Sequence, residues 1–126
     1  MNDEDKVKYL ANIYHLLVAD GDVDRIEERM FDEIRRDLVA GYVEMRKAKE
    51  MAEKEGFQAL MVGRWSDRIA NFEDMLFAAY CNGVVEQTEK KTLQQHARQL
   101  DINQAQFDTI KEEAKRRYAE FKQTLR

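Results

Sequence analysis

Apolar residues recur along this chain at spacings of three and four, the period of one helix face turned toward a core. Val7, Leu10, Ala11, Tyr14, Leu17 and Val18 form such a stripe and predict a helix from about Asp3 to Ala19, with Asn2 or Asp3 as its cap. Ile26, Met30, Ile34 and Leu38, with Phe31 beside them, predict a second helix from about Asp24. Asp24 and Glu27 have the spacing of a capping box at its start. Trp65, Ile69, Phe72, Met75, Leu76 and Ala79 predict a helix within 60–80, and Leu93, Ala97 and Leu100 one over about 86–100. Asp101-Ile102-Asn103 reads as a turn with Asn103 as N-cap. A last helix, to about Thr124, presents Phe107, Ile110, Ala114, Tyr118, Phe121 and Leu125.

Between these stripes the segment 39–64 is harder to read. Its run of Glu, Lys, Arg, Met and Ala favours helix, Glu50 and Lys54 stand four apart, Gly41 suggests a break and Gly56 a helix end. Either one long second helix or two helices bent near Gly41 fits, with the segment mostly solvated.

The stripes repeat. Ala19-Asp20-Gly21-Asp22-Val23-Asp24 and Cys81-Asn82-Gly83-Val84-Val85-Glu86 lie 62 positions apart, each between two helical stretches. In that register Val7 aligns with Ile69, Leu10 with Phe72, Ile13 with Met75, Tyr14 with Leu76, Phe31 with Leu93 and Leu38 with Leu100. The expectation is an all-α fold: a compact helical bundle of two helix–acidic turn–helix repeats plus a C-terminal helix. Repeat one covers about 3–40, a connecting segment about 41–64, and repeat two about 65–124, all in one domain of 126 residues.

Composition sharpens this. There is no proline, and 37% of residues are charged. The net charge of −4 gives no global attraction to nucleic acid or anionic lipid. It is uneven: residues 1–37 hold eleven acids and six bases, residues 102–126 four acids and six bases. No apolar run approaches the ~18 residues of a membrane span. Cys81 is the single cysteine, so no internal disulfide can form, which fits a cytoplasmic location. It reads as a small buried thiol. His15 and His96 lack partners at zinc-ligand spacing, and His96 reads as a semi-buried packing residue with a hydrogen-bond partner.

The candidate chemistry sits at the turns. Asp20, Asp22, Asp24, Glu27 and Glu28 place five carboxylates in nine residues. Asp24, Glu27 and Glu28 suit a helix start, where the dipole favours negative charge. Asp20 ends a helix, where the same dipole opposes it, so a cation should compensate it: Arg25, a lysine of the other half, or a hard divalent ion such as Ca²⁺ or Mg²⁺ held by carboxylates and turn carbonyls. An EF-hand loop does not fit, because Arg25 stands where its glycine belongs and Phe31 where its closing glutamate belongs. The second turn is weaker, with Asn82, Glu86 and Glu89 matching Asp20, Asp24 and Glu27. Trp65, with Met61 and Phe57, is a candidate partner-binding patch. No separate base or nucleophile accompanies the carboxylates, so an enzyme is not expected.

The run Leu16-Leu17-Val18-Ala19-Asp20-Gly21-Asp22-Val23-Asp24 with Glu27, its echo at Asn82-Gly83 with Glu86 and Glu89, and the closing Leu100-Asp101-Ile102-Asn103 with Phe107 resemble the tellurite-resistance TerB family and its TerB-like relatives. The poor match is 39–64, and Val84 departs from the acidic pattern. The resemblance implies a cytoplasmic, non-enzymatic, all-helical domain of stress and tellurite-resistance systems, associated with protein complexes at the inner face of a membrane. It also implies that Asp20, Asp22, Asp24, Glu27, Asn82, Glu86 and Glu89 are metal ligands. Beside it stands a second expectation: a ligand-free interaction or homodimerisation domain whose acids only cap helices.

Overall fold

The computed structural model describes residues 1–18, 23–81 and 87–124, and for 87–90 the backbone alone. Six helices follow one another among the described residues: α1 (Asp3–Val18), α2 (Arg25–Asp37), α3 (Tyr42–Ala52), α4 (Trp65–Cys81), α5 (Gln87–Gln99) and α6 (Gln104–Thr124). No strand occurs among the described residues, and none of their helices is long and apolar enough to cross a membrane. The all-α bundle expected from the stripes is the observed architecture.

The repeat is larger than its apolar pattern suggests. In each half the first helix packs on the third, α1 on α3 and α4 on α6, and the second helix of one half crosses to the first helix of the other. The correspondence reaches the backbone. Leu38 caps α2, Val39 follows at φ 56°, and the Val39 and Ala40 N–H groups donate to the carbonyls of Arg36 and Arg35. Sixty-two residues on, Asp101 has φ 61°, and Asp101 and Ile102 donate to Arg98 and Ala97. Both are Schellman closures, which satisfy the last carbonyls of a helix by a left-handed turn. The next helix then opens on a cap at the equivalent place, Gly41 N–H donating to Glu44 in one half, and Asn103 and Gln106 exchanging two bonds in the other.

The segment 41–64 is therefore more than a mostly solvated connection. It carries α3, the counterpart of α6, and the break falls at Val39–Gly41. Ala48 and Ala52 are buried on its inner face and let α1 approach closely. Fourth in chain order, α4 starts at Trp65, with Arg64 N–H held by the Asp67 carboxylate. Residues before it run as a turn through Gly56 and Gly63, both at positive φ.

The core joins both halves through Leu10, Ile13, Leu17, Met30 and Phe31 on one side and Phe72, Met75, Leu76, Leu93 and Leu100 on the other. A polar seam crosses it. Asn12 Nδ2 donates to Asn71 Oδ1 at 2.8 Å and to the Leu60 carbonyl at 2.9 Å, while Leu60 N–H returns to Asn12 Oδ1.

Candidate functional site

The first acidic turn enters α2 through the capping box that its sequence predicts. Glu27 N–H donates to Asp24 Oδ1 at 2.8 Å, and Asp24 N–H donates to Glu27 Oε1 at 3.3 Å. This arrangement satisfies backbone donors that a helix start leaves open. Asp24 is exposed, but Glu27 is buried at 3% exposure. A buried carboxylate needs compensating charge or hydrogen bonds, and Glu27 lies where the two halves meet. Glu28 points elsewhere. It is exposed and pairs with Lys49 of α3 at 3.6 Å, and the Lys49 ammonium also lies over the rings of Tyr14 and Phe31.

Asp20 and Asp22 lie outside the described residues, as do Asn82 and Glu86, and the Glu89 side chain is likewise outside them. Of the eight proposed ligands, Asp24, Glu27 and Glu28 can thus be placed. Asp24 and Glu27 come together, and Glu28 is drawn to α3. Among the described residues no three His, Cys, Asp or Glu side chains are grouped to hold a metal ion.

Cys81, the last residue of α4, lies within electrostatic reach of the acids that open α2. Burial pushes its thiol pKa up to about 12, and the carboxylates of Glu27, Asp24 and Glu33 push the same way against Arg117. Acids of the first turn thus act on the residue that opens the second. The thiol is buried, as its sequence position suggests, and is held in its protonated, unreactive form.

Trp65 stands at the first position of α4 with 39% of its surface exposed. Arg68 lies 4.9 Å from its ring centre and also reaches the Met61 sulfur at 3.3 Å, so Trp65 and Met61 share one surface patch. Phe57 does not join it, packing instead on His15 at 4.9 Å.

Two polar clusters escaped sequence reasoning. In the first, the Tyr9 hydroxyl donates to Asp74, and Arg117 of α6 pairs with Asp74 at 2.8 Å and Glu73 at 2.7 Å. Burial raises the Asp74 pKa, although the bonds from Tyr9 and Arg117 oppose this. Burial and then Asp74 raise the Tyr9 pKa, so its phenol remains a donor and cannot serve as a base. The second cluster is His15 and His96, edge to face at 5.3 Å. His96 is fully buried at 2% exposure rather than half-buried, and neither ring nitrogen makes a hydrogen bond of normal geometry. Burial draws its pKa down to about 4, and His15 adds to this against a smaller opposing pull from Gln99. The signal for the first cluster was polar residues on the inner stripes, Tyr9 and Asn12 aligned with Asn71 and Asp74 in the 62-residue register, and for the second it was His96 aligned with the apolar Ile34.

Comparison of this chain with protein-family models, with curated protein sequences and with solved structures returned no match.

Proposed function

We propose that this protein is a non-enzymatic, TerB-like helical module that binds a divalent cation, Ca²⁺ or Mg²⁺, at its acidic turns and docks partner proteins. The reading places it in the cytoplasm, in stress or tellurite-resistance systems, with partners that include a membrane-associated complex and exclude nucleic acid. The observation that carries it is the placing of Glu27, whose side chain is buried at 3% exposure in a capping box with Asp24 and is close enough to Cys81 at the end of α4 to raise the thiol pKa. A buried Glu27 beside Asp24 supplies hard oxygen donors, and a divalent ion favours that donor type. Asp20 and Asp22 would complete the set from the preceding turn. The ion would relieve carboxylate repulsion and fix the shape of the turn, with no reaction attached.

The test is thermal melting of the native chain during Ca²⁺ or Mg²⁺ titration. A cation that binds only the folded form adds about 2.7 kcal/mol at 100 times its Kd. The shift should vanish in an Asp20→Ala, Asp22→Ala variant and weaken in Glu27→Gln. No shift in the native chain, or an equal shift in the double variant, refutes the cation site.

A second reading is favoured by a separate observation. Asp24 and Glu27 close a capping box and Glu28 is held by Lys49, so these three acids have structural work without any ion. Under that reading the protein is a ligand-free interaction or dimerisation domain, with Trp65 and Met61 in its contact surface. Sedimentation of the native chain and of Trp65→Ala distinguishes it: a dimer that dissociates on removal of Trp65 supports it, and a monomer in both counts against it.

A further inference from the structure

The two halves differ at one place where the repeat should make them alike. In the first half, the crevice between α1, α2 and α3 is filled by Tyr14 and Phe31, whose rings lie 5.3 Å apart. Lys49 covers both rings and is neutralised by Glu28. Sixty-two residues on, Tyr14 becomes Leu76, Phe31 becomes Leu93 and Lys49 becomes Lys111. With both rings gone, the crevice between α4, α5 and α6 is an open groove of about 410 Å³. Leu76, Ala79, Leu93, Phe107 and the ring of Tyr80 line it, and Lys111 and Lys115 stand at it. That volume lies within the range of about 300–1,000 Å³ typical of small-molecule sites.

The charge at the corresponding positions of the sequence is inverted as well. Glu28 and Glu53 stand close enough to Tyr14 to raise its pKa, after burial, and their counterparts in the register are Lys90 and Lys115. Lys115 is balanced by Glu112 at 3.7 Å. Lys111 has no ion-pair partner among the described residues, although the protein as a whole is acidic. At the positions of Tyr14, Phe31 and Glu28 the second half thus carries Leu76, Leu93 and Lys90, with neither ring nor carboxylate at those three places in the register.

We propose that the groove between α4, α5 and α6 binds a small aromatic carboxylate, its ring seated on Leu76, Leu93 and Phe107 and its carboxylate on Lys111. The ring replaces the missing aromatic filling, and the anion takes the role that Glu28 plays toward Lys49. Apolar burial supplies the affinity, and the half-buried ammonium selects an anion over a neutral ring. This site is independent of the cation reading, since none of its lining residues belongs to the acidic turns.

Titration of the ¹⁵N-labelled full chain with naphthalene-2-carboxylate, and separately with naphthalene-2-methanol, tests the assignment. The carboxylate should give saturable shifts centred on α4 and α6 around Leu76, Phe107 and Lys111. Lys111→Gln, a surface change that leaves the fold intact, should weaken the carboxylate about fivefold, the scale of one partly exposed ion pair, and leave the alcohol unaffected. Leu76→Tyr with Leu93→Phe installs the first half's own filling and should abolish binding of both probes, with the circular dichroism spectrum unchanged. The Lys111 arm decides even if that double variant does not fold. No saturable shift up to about 5 mM, a Kd that corresponds to only weak binding, overturns the proposal. So do shifts centred elsewhere, or equal affinity for the two probes.

Discussion

Asn12 and Asn71 meet at 2.8 Å in the middle of the α1–α4 contact, both inaccessible to solvent. Their bond has an image. Asn12 corresponds to Asp74 and Asn71 to Tyr9 in the 62-residue register, so the Asn12–Asn71 and Tyr9–Asp74 bonds exchange under the approximate two-fold between the halves. Asn71 Nδ2 also donates to the Tyr9 carbonyl at 3.0 Å, which links the two bonds into one seam. A seam of this kind fixes which faces of two apolar helices meet, because any other rotation leaves buried amides unpaired.

Removing a buried partner exposes the cost of the groups left behind. Asn12→Ala strands both the N–H and the carbonyl of Leu60 together with the Asn71 amide, and should destabilise the fold by about 3 kcal/mol. Asn71→Ala leaves the Tyr9 carbonyl its bond within α1 and Asn12 its two bonds to Leu60, strands one N–H of the Asn12 amide, and should cost about 2 kcal/mol. Urea unfolding at neutral pH measures both. Losses below about 1 kcal/mol, or the reverse order, would show that the seam has no role in stability.

Cys81 should be inert in the native protein. With its pKa pushed up to about 12 and its side chain buried, almost no thiolate exists at pH 8. Modification by a disulfide reagent should therefore follow the unfolding rate and become immediate in denaturant. Glu27→Gln removes the largest carboxylate influence on the thiol and should lower its pKa. Rapid labelling of the native chain would contradict its burial.

Much of this fold could be read from the sequence where the buried residues are large. The register through Tyr14 and Leu76, Phe31 and Leu93, and Leu38 and Leu100 rests on residues whose burial leaves a clear period. It faded beyond Leu38 because α3 turns Met45, Ala48 and Ala52 inward, and alanine barely stands out among glutamates and lysines. Of the partner positions in α6, Phe107 and Ile110 are larger than Met45 and Ala48, so the same helix was legible in the second half alone. At the site, the capping box of Asp24 and Glu27 was legible because it depends on local spacing. The pairing of Glu28 with Lys49 was not, since it joins helices 21 residues apart in the chain. Nor was the groove beside Lys111, which is visible only when one half is laid on the other.

Val39 offers a stabilising substitution. It is the C′ residue of α2 at φ 56° and 81% exposed, so a β-branched side chain is held in the left-handed region with little packing in return. Val39→Gly should stabilise the protein by about 1 kcal/mol, the relief of left-handed strain outweighing the extra freedom of glycine in the unfolded chain. Asp101→Gly, at the equivalent turn, should gain less, because aspartate tolerates that conformation better. Thermal melting of the two variants checks the order. No gain at Val39 would show that the turn relaxes when it is strained.

His96 should make the fold sensitive to mild acid. Burial first, then His15, draws its pKa from 6.5 down to about 4 in the folded protein, while in the unfolded chain it titrates near 6.5. Above pH 6.5 the ring is neutral in both states and the fold keeps its full stability. As the pH falls from 6.5 toward 4 the unfolded chain takes up a proton that the folded protein refuses, so stability drops, by about 3 kcal/mol across that window. The register supplies the control, because Ile34 occupies the equivalent position in α2. His96→Ile should fold with a similar core and lose this component of the acid sensitivity, while carboxylates elsewhere continue to titrate as before. Urea unfolding of both proteins at pH 7.5 and pH 5 reads the difference directly. The gap between variant and native stability should widen in favour of the variant at pH 5. An unchanged gap would mean that water or a neighbour accommodates the imidazolium, and that the contact of His96 with His15 opens without cost.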